Sequence, residues 1–347
     1  MANMTALVLH GKEDLRFETR PIPQPTEGTV LIRIARAGIC GSDIHYFKDA
    51  KVGIYSLKMP FVLGHEFCGE IVEAGKGVEK LKRGDRVVVE PAIPCGYCGP
   101  CRGGRYNLCE NMRVFGSTSW TPHLNGGFEE YVLVPEHSCF KMTDSLTYQQ
   151  GAMVEPLAVG AHAISRAGVI AGKRIFITGA GTIGQSILTL SRAMGAASVS
   201  ISDVRGFSRE FSMRRGANTT LDPTDSSFLE QAKATAADGF DLIFEASGNA
   251  AAFSQAVELA KRGATMVQVG MSASPASLDL GKITGKELQL YGSFRYANAF
   301  KIVLDYLAAG LINVDELVTH VFKFPEAKKA MACAISDVEA IKVQIEF

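Results

Sequence analysis

The sequence predicts a two-domain α/β protein, in which a doubly wound parallel sheet domain is inserted into a twisted, partly closed β-barrel domain. Three observations lead to this prediction. The chain has 347 residues, a length at which two domains are the usual arrangement. Its first part contains short β-branched runs separated by glycine and proline. Beyond residue 173, buried strands alternate with helices.

The barrel prediction depends on five strand-like runs in the first part of the chain. They are rich in β-branched residues and are bounded by turn residues, as strands of a small barrel are. The runs are residues 6–9, 30–34, 68–73, 86–89 and 130–134.

The second domain is predicted from a change of pattern. A helical period over 157–168 is followed by continuous apolar runs, which indicate strands buried on both faces of a parallel sheet with helical crossovers. These runs are residues 174–178, 198–202, 241–245, 264–269 and 287–290.

The tail is too short to form a domain of its own. It predicts a helix over 297–309 and a strand over 342–345, which we expect to return to the first domain. The predicted division is therefore 1–156 with 292–347 for one domain and 157–291 for the other.

Charge and hydropathy exclude several classes of function. The formal net charge is zero and the pI is near 7.0, so neither nucleic acid nor a membrane surface is an expected partner. The first twenty residues predict a strand rather than a signal peptide, and no apolar run approaches the roughly 20 residues that span a bilayer. We expect a cytoplasmic protein with reduced cysteines.

Four cysteines with the spacing C-x2-C-x2-C-x7-C predict a structural zinc site. The glycines between them allow the backbone to bend around a metal, and four thiolates leave no coordination position for a substrate. Disulfides are the alternative, and a reducing compartment would disfavour them. The predicted ligands are Cys95, Cys98, Cys101 and Cys109.

A second set of residues has the composition of a catalytic zinc site. Cys40 and His65 are the predicted ligands, and either Glu66 or Glu155 would complete the set, directly or through water. One thiolate, one imidazole and one or two carboxylates leave a coordination position for substrate. The sequence therefore predicts two zinc ions per chain.

A glycine-rich turn directly follows the predicted strand 174–178 and precedes a helix. The pattern G-x-G-x-x-G in this setting predicts a dinucleotide site, with the pyrophosphate at the N-terminus of the helix. The predicted contacts are Gly179, Gly181, Thr182, Ile183 and Gly184.

An acidic residue ends the next predicted strand. Asp203 stands 19 residues beyond Gly184, where a carboxylate accepts hydrogen bonds from the adenosine ribose and repels a 2′-phosphate. This position predicts NAD as the cofactor. NADP is the alternative, because Arg205 and Arg209 follow closely.

These motifs together resemble the zinc-containing medium-chain dehydrogenases over nearly the whole chain. Gly64–Gly69 matches the zinc signature of that family, and Cys40–Asp43 and the four cysteines fall where the family has them. Within the family, His45–Tyr46, Glu155–Leu157 and Gly292–Tyr296 resemble the polyol branch, which includes the sorbitol dehydrogenases and the L-idonate 5-dehydrogenases. The resemblance implies a GroES-like barrel domain and a Rossmann domain.

The resemblance also implies further cofactor contacts and an oligomer. The additional contacts to the dinucleotide are predicted at Val269, Gly270, Met271, Ser293 and Phe294. A homodimer or homotetramer is expected, with the segment 271–290 pairing across a two-fold axis. One departure concerns the adenosine site, because Ser208 occupies a position where the NAD-linked sorbitol dehydrogenases usually have arginine.

The predicted mechanism is oxidation of an alcohol by hydride transfer to the nicotinamide. Zinc would lower the pKa of the substrate hydroxyl, with Ser42 predicted to accept its proton and His45 to pass it to solvent. Glu155 is a further catalytic candidate. The predicted substrate contacts are Tyr46, Phe115, Trp120, His123, Glu155, Arg295 and Tyr296.

The substrate prediction depends on Arg295, because a guanidinium binds a carboxylate through two parallel hydrogen bonds, although it can also donate to plain hydroxyls. It favours a sugar acid, in the sharpest form L-idonate oxidised to 5-keto-D-gluconate. A neutral polyol such as sorbitol or xylitol is the alternative substrate. A catalytically inactive zinc-binding structural protein is the alternative from another class.

Overall fold

The structure is a computed structural model that describes residues 2–272 and 274–347. Short strands form most of the first part of the chain. The strands are β1 (Asn3–Gly11), β2 (Asp14–Pro21), β3 (Thr29–Gly38), β4 (Lys51–Val52), β5 (Tyr55–Ser56), β6 (Phe61–Val62), β7 (Glu66–Ala74), β8 (Arg86–Val89), β9 (Ala92–Ile93), β10 (Arg113–Val114), β11 (Tyr131–Pro135) and β12 (Cys139–Lys141). The helices are α1 (Gly41–Asp49), α2 (Gly99–Arg102) and α3 (Tyr148–Gly151), with 3-10 turns at Tyr106–Leu108 and Glu136–Ser138.

Strand β3 is the centre of the larger sheet. It pairs antiparallel with β7 along most of its length and with β11 at its beginning, and β8 and β12 extend the sheet beyond β7. A smaller sheet joins β1 to β2 and β6. Side chains from both sheets form one apolar core that includes Phe61, Phe67 and Phe128. This arrangement confirms the predicted β-barrel class.

The second part of the chain alternates strands and helices. In order they are α4 (Val154–Ala167), β13 (Arg174–Thr178), α5 (Thr182–Ala193), β14 (Ser198–Ser202), α6 (Gly206–Arg214), β15 (Thr219–Leu221), α7 (Phe228–Thr235), β16 (Phe240–Glu245), α8 (Ala250–Leu259), β17 (Ala260–Gln268), α9 (Leu280–Lys286) and β18 (Gln289–Gly292). The six strands are parallel, in the order β15-β14-β13-β16-β17-β18. This is the Rossmann strand order, with its crevice between β13 and β16.

The chain then returns to the first sheet. The remaining elements are α10 (Phe300–Ala308), β19 (Val318–Lys323), α11 (Ala327–Ser336) and β20 (Lys342–Glu346), with 3-10 turns at Asp315–Leu317 and Phe324–Glu326. Strand β20 pairs antiparallel with β3 and parallel with β19. In the part of the chain that the structure describes, no helix is long and apolar enough to cross a membrane.

Contacts between residues divide the chain into two units. The first unit comprises residues up to 155 with 300–310 and 314–347, and the second comprises 156–299 with 311–313. The second boundary lies after residue 299 rather than at the predicted 291/292, because Ser293 N–H donates to Gln268 O at 2.8 Å and continues the second sheet. Positive φ angles at Arg295 and Asn298 also delay the last predicted helix, which begins at Phe300 instead of residue 297.

Candidate active site and metal centres

The four cysteines at 95, 98, 101 and 109 lie in one loop of the first unit, with their sulfur atoms within 4.8 Å of one another. The Sγ atoms of Cys95 and Cys101 are 4.0 Å apart. A disulfide bond would require roughly 2.05 Å, whereas two thiolates on a tetrahedral zinc with bonds of about 2.3 Å lie about 3.8 Å apart. The separation therefore fits four metal ligands and does not fit a disulfide.

The thiols of this loop have unequal acidity. Burial alone would raise the pKa of Cys95, but backbone N–H groups of Tyr97 and Cys98 lower it to about 6. Burial and the neighbouring Cys98 raise the pKa of Cys101 to about 12. One thiolate forms readily and then disfavours the next, so a divalent cation is needed before all four sulfurs can ionise. This charge pattern fits a zinc ion.

Cys40 and His65 converge at the beginnings of two elements. Cys40 precedes α1 and His65 precedes β7, and their ligand atoms and that of Glu66 lie within 4.8 Å of one another. The buried Asp43 positions both, because its carboxylate accepts the Cys40 N–H at 2.9 Å and lies 3.7 Å from His65 Nδ1. The motif Cys40–Asp43 was predicted without a role for Asp43, although an acid three residues after a helix N-cap is typical of a capping box.

The electrostatics of this cluster favour a cation. Burial alone would lower the pKa of His65, but the negative charges of Cys40 and Asp43 outweigh burial and raise that pKa well above its usual value. Burial raises the pKa of Asp43. The negative charge that raises the pKa of His65 is one that a bound metal ion would compensate. The residues present therefore fit zinc.

Glu66 is held by a lysine that the sequence analysis did not consider. Lys342 Nζ donates to both carboxylate oxygens of Glu66 at 2.8 and 2.7 Å, and to Ile39 O at 3.0 Å. The Lys342 and Glu66 side chains are 2% and 1% exposed. Burial alone would lower the pKa of Lys342, but the Glu66 carboxylate outweighs it and the pKa rises. Lys342 thus remains charged inside the first unit.

Glu155, the other candidate carboxylate, is buried at the beginning of α4. Its negative charge contributes to raising the pKa values of both His65 and Lys342. Glu155 therefore lies within electrostatic range of the cluster formed by Cys40 and His65.

The two residues of the predicted proton path lie on α1. Ser42 is half-buried, whereas the His45 side chain is 65% exposed, with Nδ1 3.7 Å from an Asp49 oxygen on the outer face of the helix. Within residues 2–272 and 274–347, no direct hydrogen bond joins Ser42 to His45. A relay between them would need an intervening water molecule.

The predicted substrate contacts of the first unit occupy different environments. Tyr46 and Phe115 are buried in its core, where the Tyr46 hydroxyl lies 3.2 Å from Ser117 Oγ. Trp120 is 42% exposed and lines a cavity of about 340 Å³ with residues of the 54–58 and 118–121 segments. His123 accepts the Lys58 N–H at Nε2 and faces Trp120 O from Nδ1, so both of its ring nitrogens hold this loop together.

Arg295 and Tyr296, the predicted contacts of the second unit, follow the last parallel strand. Tyr296 is buried, and Arg295 is half-buried with its guanidinium 4.8 Å from the Phe294 ring centroid. The backbone of Arg295 has φ of 53°, a conformation that costs free energy in any residue with a Cβ.

Each glycine of the predicted dinucleotide turn meets a different steric requirement. A Cβ at Gly179, where φ is 84°, would lie 2.8 Å from Ser247 Cα, and a Cβ at Gly184 would lie 1.9 Å from Gly179 O. A Cβ at Gly181 would meet nothing within 4 Å. The open space at Gly181 lies directly before α5, whose first two residues are Thr182 and Ile183. This is the space that a pyrophosphate requires.

A hydrogen bond connects the Asp203 carboxylate to the same turn. Its Oδ2 accepts the Ala180 N–H at 2.7 Å, and its Oδ1 accepts the Arg205 N–H at 2.8 Å. Arg209 donates to Asp203 O at 2.7 Å and forms an ion pair with Asp222 at 3.0 Å. Ser208, where the resemblance predicted a departure from the usual arginine, is fully buried in α6.

The remaining predicted cofactor contacts follow β17 and β18, at the same edge of the sheet as the glycine turn. The buried carboxylate of Glu245 accepts hydrogen bonds from Thr178 Oγ1 at 3.0 Å and from Gln268 Nε2 at 2.5 Å, and its backbone oxygen accepts the Val269 and Gly270 N–H groups. Glu245 thereby fixes three loops at this edge, and the sequence analysis missed it. The other contacts predicted here are Met271, Ser293 and Phe294, of which Met271 and Phe294 are exposed.

Alanine at Gly181 and at Gly184 should have opposite consequences. Gly181 has φ of −73°, so Gly181→Ala should fold normally while its methyl group obstructs the pyrophosphate and weakens NADH binding by roughly tenfold or more. Gly184→Ala should instead lower the free energy of unfolding by about 1–3 kcal/mol, because its methyl group collides with backbone.

NADH fluorescence titration and thermal unfolding of both variants would measure these effects. Unchanged NADH affinity in a folded Gly181→Ala variant would contradict the pyrophosphate site. An unchanged unfolding temperature for Gly184→Ala would contradict the close helix–strand contact.

Comparison with known proteins identifies two family models in the chain. The model of the alcohol dehydrogenase GroES-like domain matches residues 26–144, and that of the zinc-binding dehydrogenase matches residues 182–309. The sorbitol dehydrogenase of Bacillus subtilis is 35% identical over 346 residues, covering 99% of this chain and 97% of the relative. D-xylulose reductase A of Aspergillus niger is 36% identical, covering 95% and 93%.

Solved structures agree with these matches. L-idonate 5-dehydrogenase of Escherichia coli superposes with a TM-score of 0.94 at 35% identity, covering 100% of this chain and 99% of the other. An Escherichia coli alcohol dehydrogenase in complex with NADH has a TM-score of 0.93 at 31% identity, and a Sinorhizobium meliloti zinc-binding dehydrogenase bound to NADP has 0.91 at 31%, each with full coverage of both chains. The chain therefore belongs to the polyol branch of the zinc-containing medium-chain dehydrogenases, whose members oxidise CH–OH groups with NAD or NADP.

Proposed function

We propose that this dehydrogenase oxidises a secondary alcohol of a sugar acid with NAD, most specifically L-idonate to 5-keto-D-gluconate. The observation that carries the catalytic part is the convergence of the ligand atoms of Cys40, His65 and Glu66 within 4.8 Å of one another, beside the buried Asp43. Ser42 stands two residues after Cys40 and is half-buried. The proposed chemistry needs both a metal site and a hydroxyl beside it.

Cys40, His65 and Glu155 are the proposed protein ligands of the catalytic zinc. Glu155 is favoured over Glu66 because both Glu66 oxygens already accept hydrogen bonds from Lys342. Asp43 orients His65, and Ser42 accepts the substrate proton and releases it through water toward His45. A bound zinc would polarise the substrate hydroxyl and lower its pKa. The four cysteines 95, 98, 101 and 109 are the proposed ligands of the second, structural zinc.

NAD is the proposed hydride acceptor. The Asp203 carboxylate stands between the glycine turn and α6, where a 2′-phosphate would be repelled. Arg209, which could neutralise such a phosphate, is already paired with Asp222. These contacts favour NAD over NADP.

Arg295 is the proposed carboxylate-binding residue. Strained backbone at a residue with a polar side chain is common at binding sites, and the φ of 53° at Arg295 supports this role. The L-idonate 5-dehydrogenase fold match agrees with a sugar-acid substrate. The sorbitol dehydrogenase and D-xylulose reductase relatives favour the alternative, a neutral polyol such as sorbitol or xylitol.

Arg295→Ala separates the two substrates. Loss of a charged hydrogen-bonding partner, worth about 1.5–3 kcal/mol, should raise KM for L-idonate roughly 10- to 100-fold while changing KM for sorbitol much less. NADH formation would be measured with L-idonate, D-gluconate, sorbitol and xylitol. Arg16→Ala, at an exposed arginine of the first unit, is the matched control.

Each outcome of this experiment supports or refutes one or both of the proposed substrate classes. Turnover of L-idonate with an unaltered KM in Arg295→Ala would refute the carboxylate-binding role. Turnover of neutral polyols alone would establish the alternative substrate class. No turnover by a zinc-loaded protein would refute both substrates.

A homodimer or homotetramer is also proposed. The strand that would pair across a two-fold axis is β18, which bonds to β17 on one side and has exposed residues throughout. A second copy of β18 would extend the sheet. The segment that precedes it contains α9 rather than continuous strand.

A further inference from the structure

A third group of metal-binding side chains lies near the C-terminus of the first unit. His320, Cys333 and Asp337 each offer one ligand atom, and these atoms lie within 4.8 Å of one another. His320 belongs to β19, and Cys333 and Asp337 belong to α11 and its C-cap. None of these elements supplies a residue to the two zinc sets described above. The proposed dehydrogenase mechanism does not use this group.

The separations between the ligand atoms match a tetrahedral metal site. His320 Nε2 is 3.4 Å from Asp337 Oδ2, and Cys333 Sγ is 3.9 Å from the same oxygen. With zinc bonds of about 2.0–2.1 Å to nitrogen and oxygen and about 2.3 Å to sulfur, tetrahedral angles give about 3.4 Å and about 3.6 Å. The first separation agrees with its expected value and the second exceeds it by about 0.3 Å, against about 0.2 Å for the Cys95–Cys101 pair, whose sulfurs are 4.0 Å apart.

Local structure holds the three side chains in this arrangement. Cys333 and Asp337 are four residues apart, so they lie on one face of α11 at its end. Asp337 Oδ1 accepts the Glu339 N–H at 2.8 Å, which leaves Oδ2 facing the cluster. His320 Nδ1 is 3.0 Å from Thr319 Oγ1, which directs Nε2 toward Asp337. Such contacts behind the ligands are typical of metal sites.

We propose that His320, Cys333 and Asp337 bind a third zinc ion, with water in the fourth coordination position. Imidazole nitrogen, thiolate sulfur and carboxylate oxygen are the ligand types that zinc prefers. Binding releases the Cys333 thiol proton to solvent and creates a link between β19 and α11. The His320 and Asp337 side chains are 28% and 37% exposed, so the ion can enter from solvent and exchange.

The zinc content of the full-length protein tests this site. After equilibrium dialysis against micromolar free zinc, wild-type protein should contain one zinc more per chain than Cys333→Ser. His320→Gln should show the same loss and guards against misfolding of the cysteine variant. Cys139→Ser is the matched control, because Cys139 is another half-buried cysteine of this unit, with Pro135 O as its partner at 3.7 Å.

A second readout is the unfolding temperature, which added zinc should raise more in wild-type protein than in Cys333→Ser. Dehydrogenase activity should be unchanged in all three variants, so failure of the proposed function would leave this test intact. Equal zinc content in wild-type protein, Cys333→Ser and His320→Gln would show only a hydrogen-bonded cluster and would overturn the proposal. An equal loss in Cys139→Ser would overturn it as well.

Discussion

Replacing Lys342 with methionine should lower the free energy of unfolding by about 3–5 kcal/mol, because the buried Glu66 carboxylate loses its paired ammonium and both hydrogen bonds from it. Methionine has a similar length, so the loss of charge rather than of volume causes the effect. Chemical unfolding of zinc-loaded protein, followed by circular dichroism, would measure it. The first unit, which contains both residues, should account for the loss.

Two controls separate the buried pair from ordinary surface charge. Lys323→Met removes a lysine from β19 that is 66% exposed and forms an ion pair with Glu346 at 2.9 Å, and should cost at most about 1 kcal/mol. The double variant Lys342→Met with Glu66→Met should recover most of the lost stability, because no unpaired charge remains. If the double variant is as unstable as Lys342→Met alone, the pairing argument fails.

This ion pair also shows where sequence reasoning reaches its limit. The zinc loop and the dinucleotide turn were predictable because their residues are close in the chain and their spacing itself has physical meaning. Glu66 and Lys342 are separated by 276 positions, and they meet because β3 pairs with β20 on one side and with β7 on the other. The sequence contains little signal for this pair, because strand Lys342–Glu346 reads KVQIE and its lysine does not stand out until the structure shows that it is buried.

The predicted start of the helix over 297–309 was wrong for a different physical reason. The periodicity that predicts a helix over 297–309 extends before the point where the backbone becomes helical, because Arg295 and Asn298 adopt positive φ. Such angles are uncommon outside glycine and cannot be inferred from hydrophobic pattern alone. Five of the six strands of the parallel sheet were predicted, since short continuous apolar runs between helices are typical of strands that are buried on both faces. The three-residue strand β15 was not predicted, and β18 begins two residues later than predicted.

Asp43 and Glu245 illustrate a third limit, which concerns supporting residues. Both are buried acids whose partners are backbone N–H groups and side chains that orient a site. Their sequence neighbourhoods do not distinguish them from acids that end a helix or strand in solvent. Only the geometry shows that Asp43 faces His65 and that Glu245 joins the loops after three parallel strands.

Cys40→Ala should abolish dehydrogenase activity while leaving the protein folded. Polarisation of the substrate hydroxyl by a metal ion is worth several kcal/mol, and each 1.4 kcal/mol changes a rate tenfold, so kcat should fall by roughly a thousandfold or more. The variant should contain one zinc fewer than wild-type protein, with the zinc of the four-cysteine loop retained. Steady-state kinetics and zinc analysis of the same preparation would measure both effects.

Cys68→Ala provides the matched cysteine control. Cys68 lies in β7 near His65, but its Sγ donates to Tyr148 O at 3.1 Å, and burial raises its pKa to about 12, so it stays a thiol. Its removal should leave the zinc content and kcat close to wild type, apart from a loss of stability from the cavity. If activity survives Cys40→Ala, or if it disappears equally in Cys68→Ala, catalysis does not depend specifically on the Cys40 site. Loss of activity in Cys40→Ala alone would assign the chemistry to the Cys40 thiolate, because each substitution replaces one cysteine of the first unit with alanine.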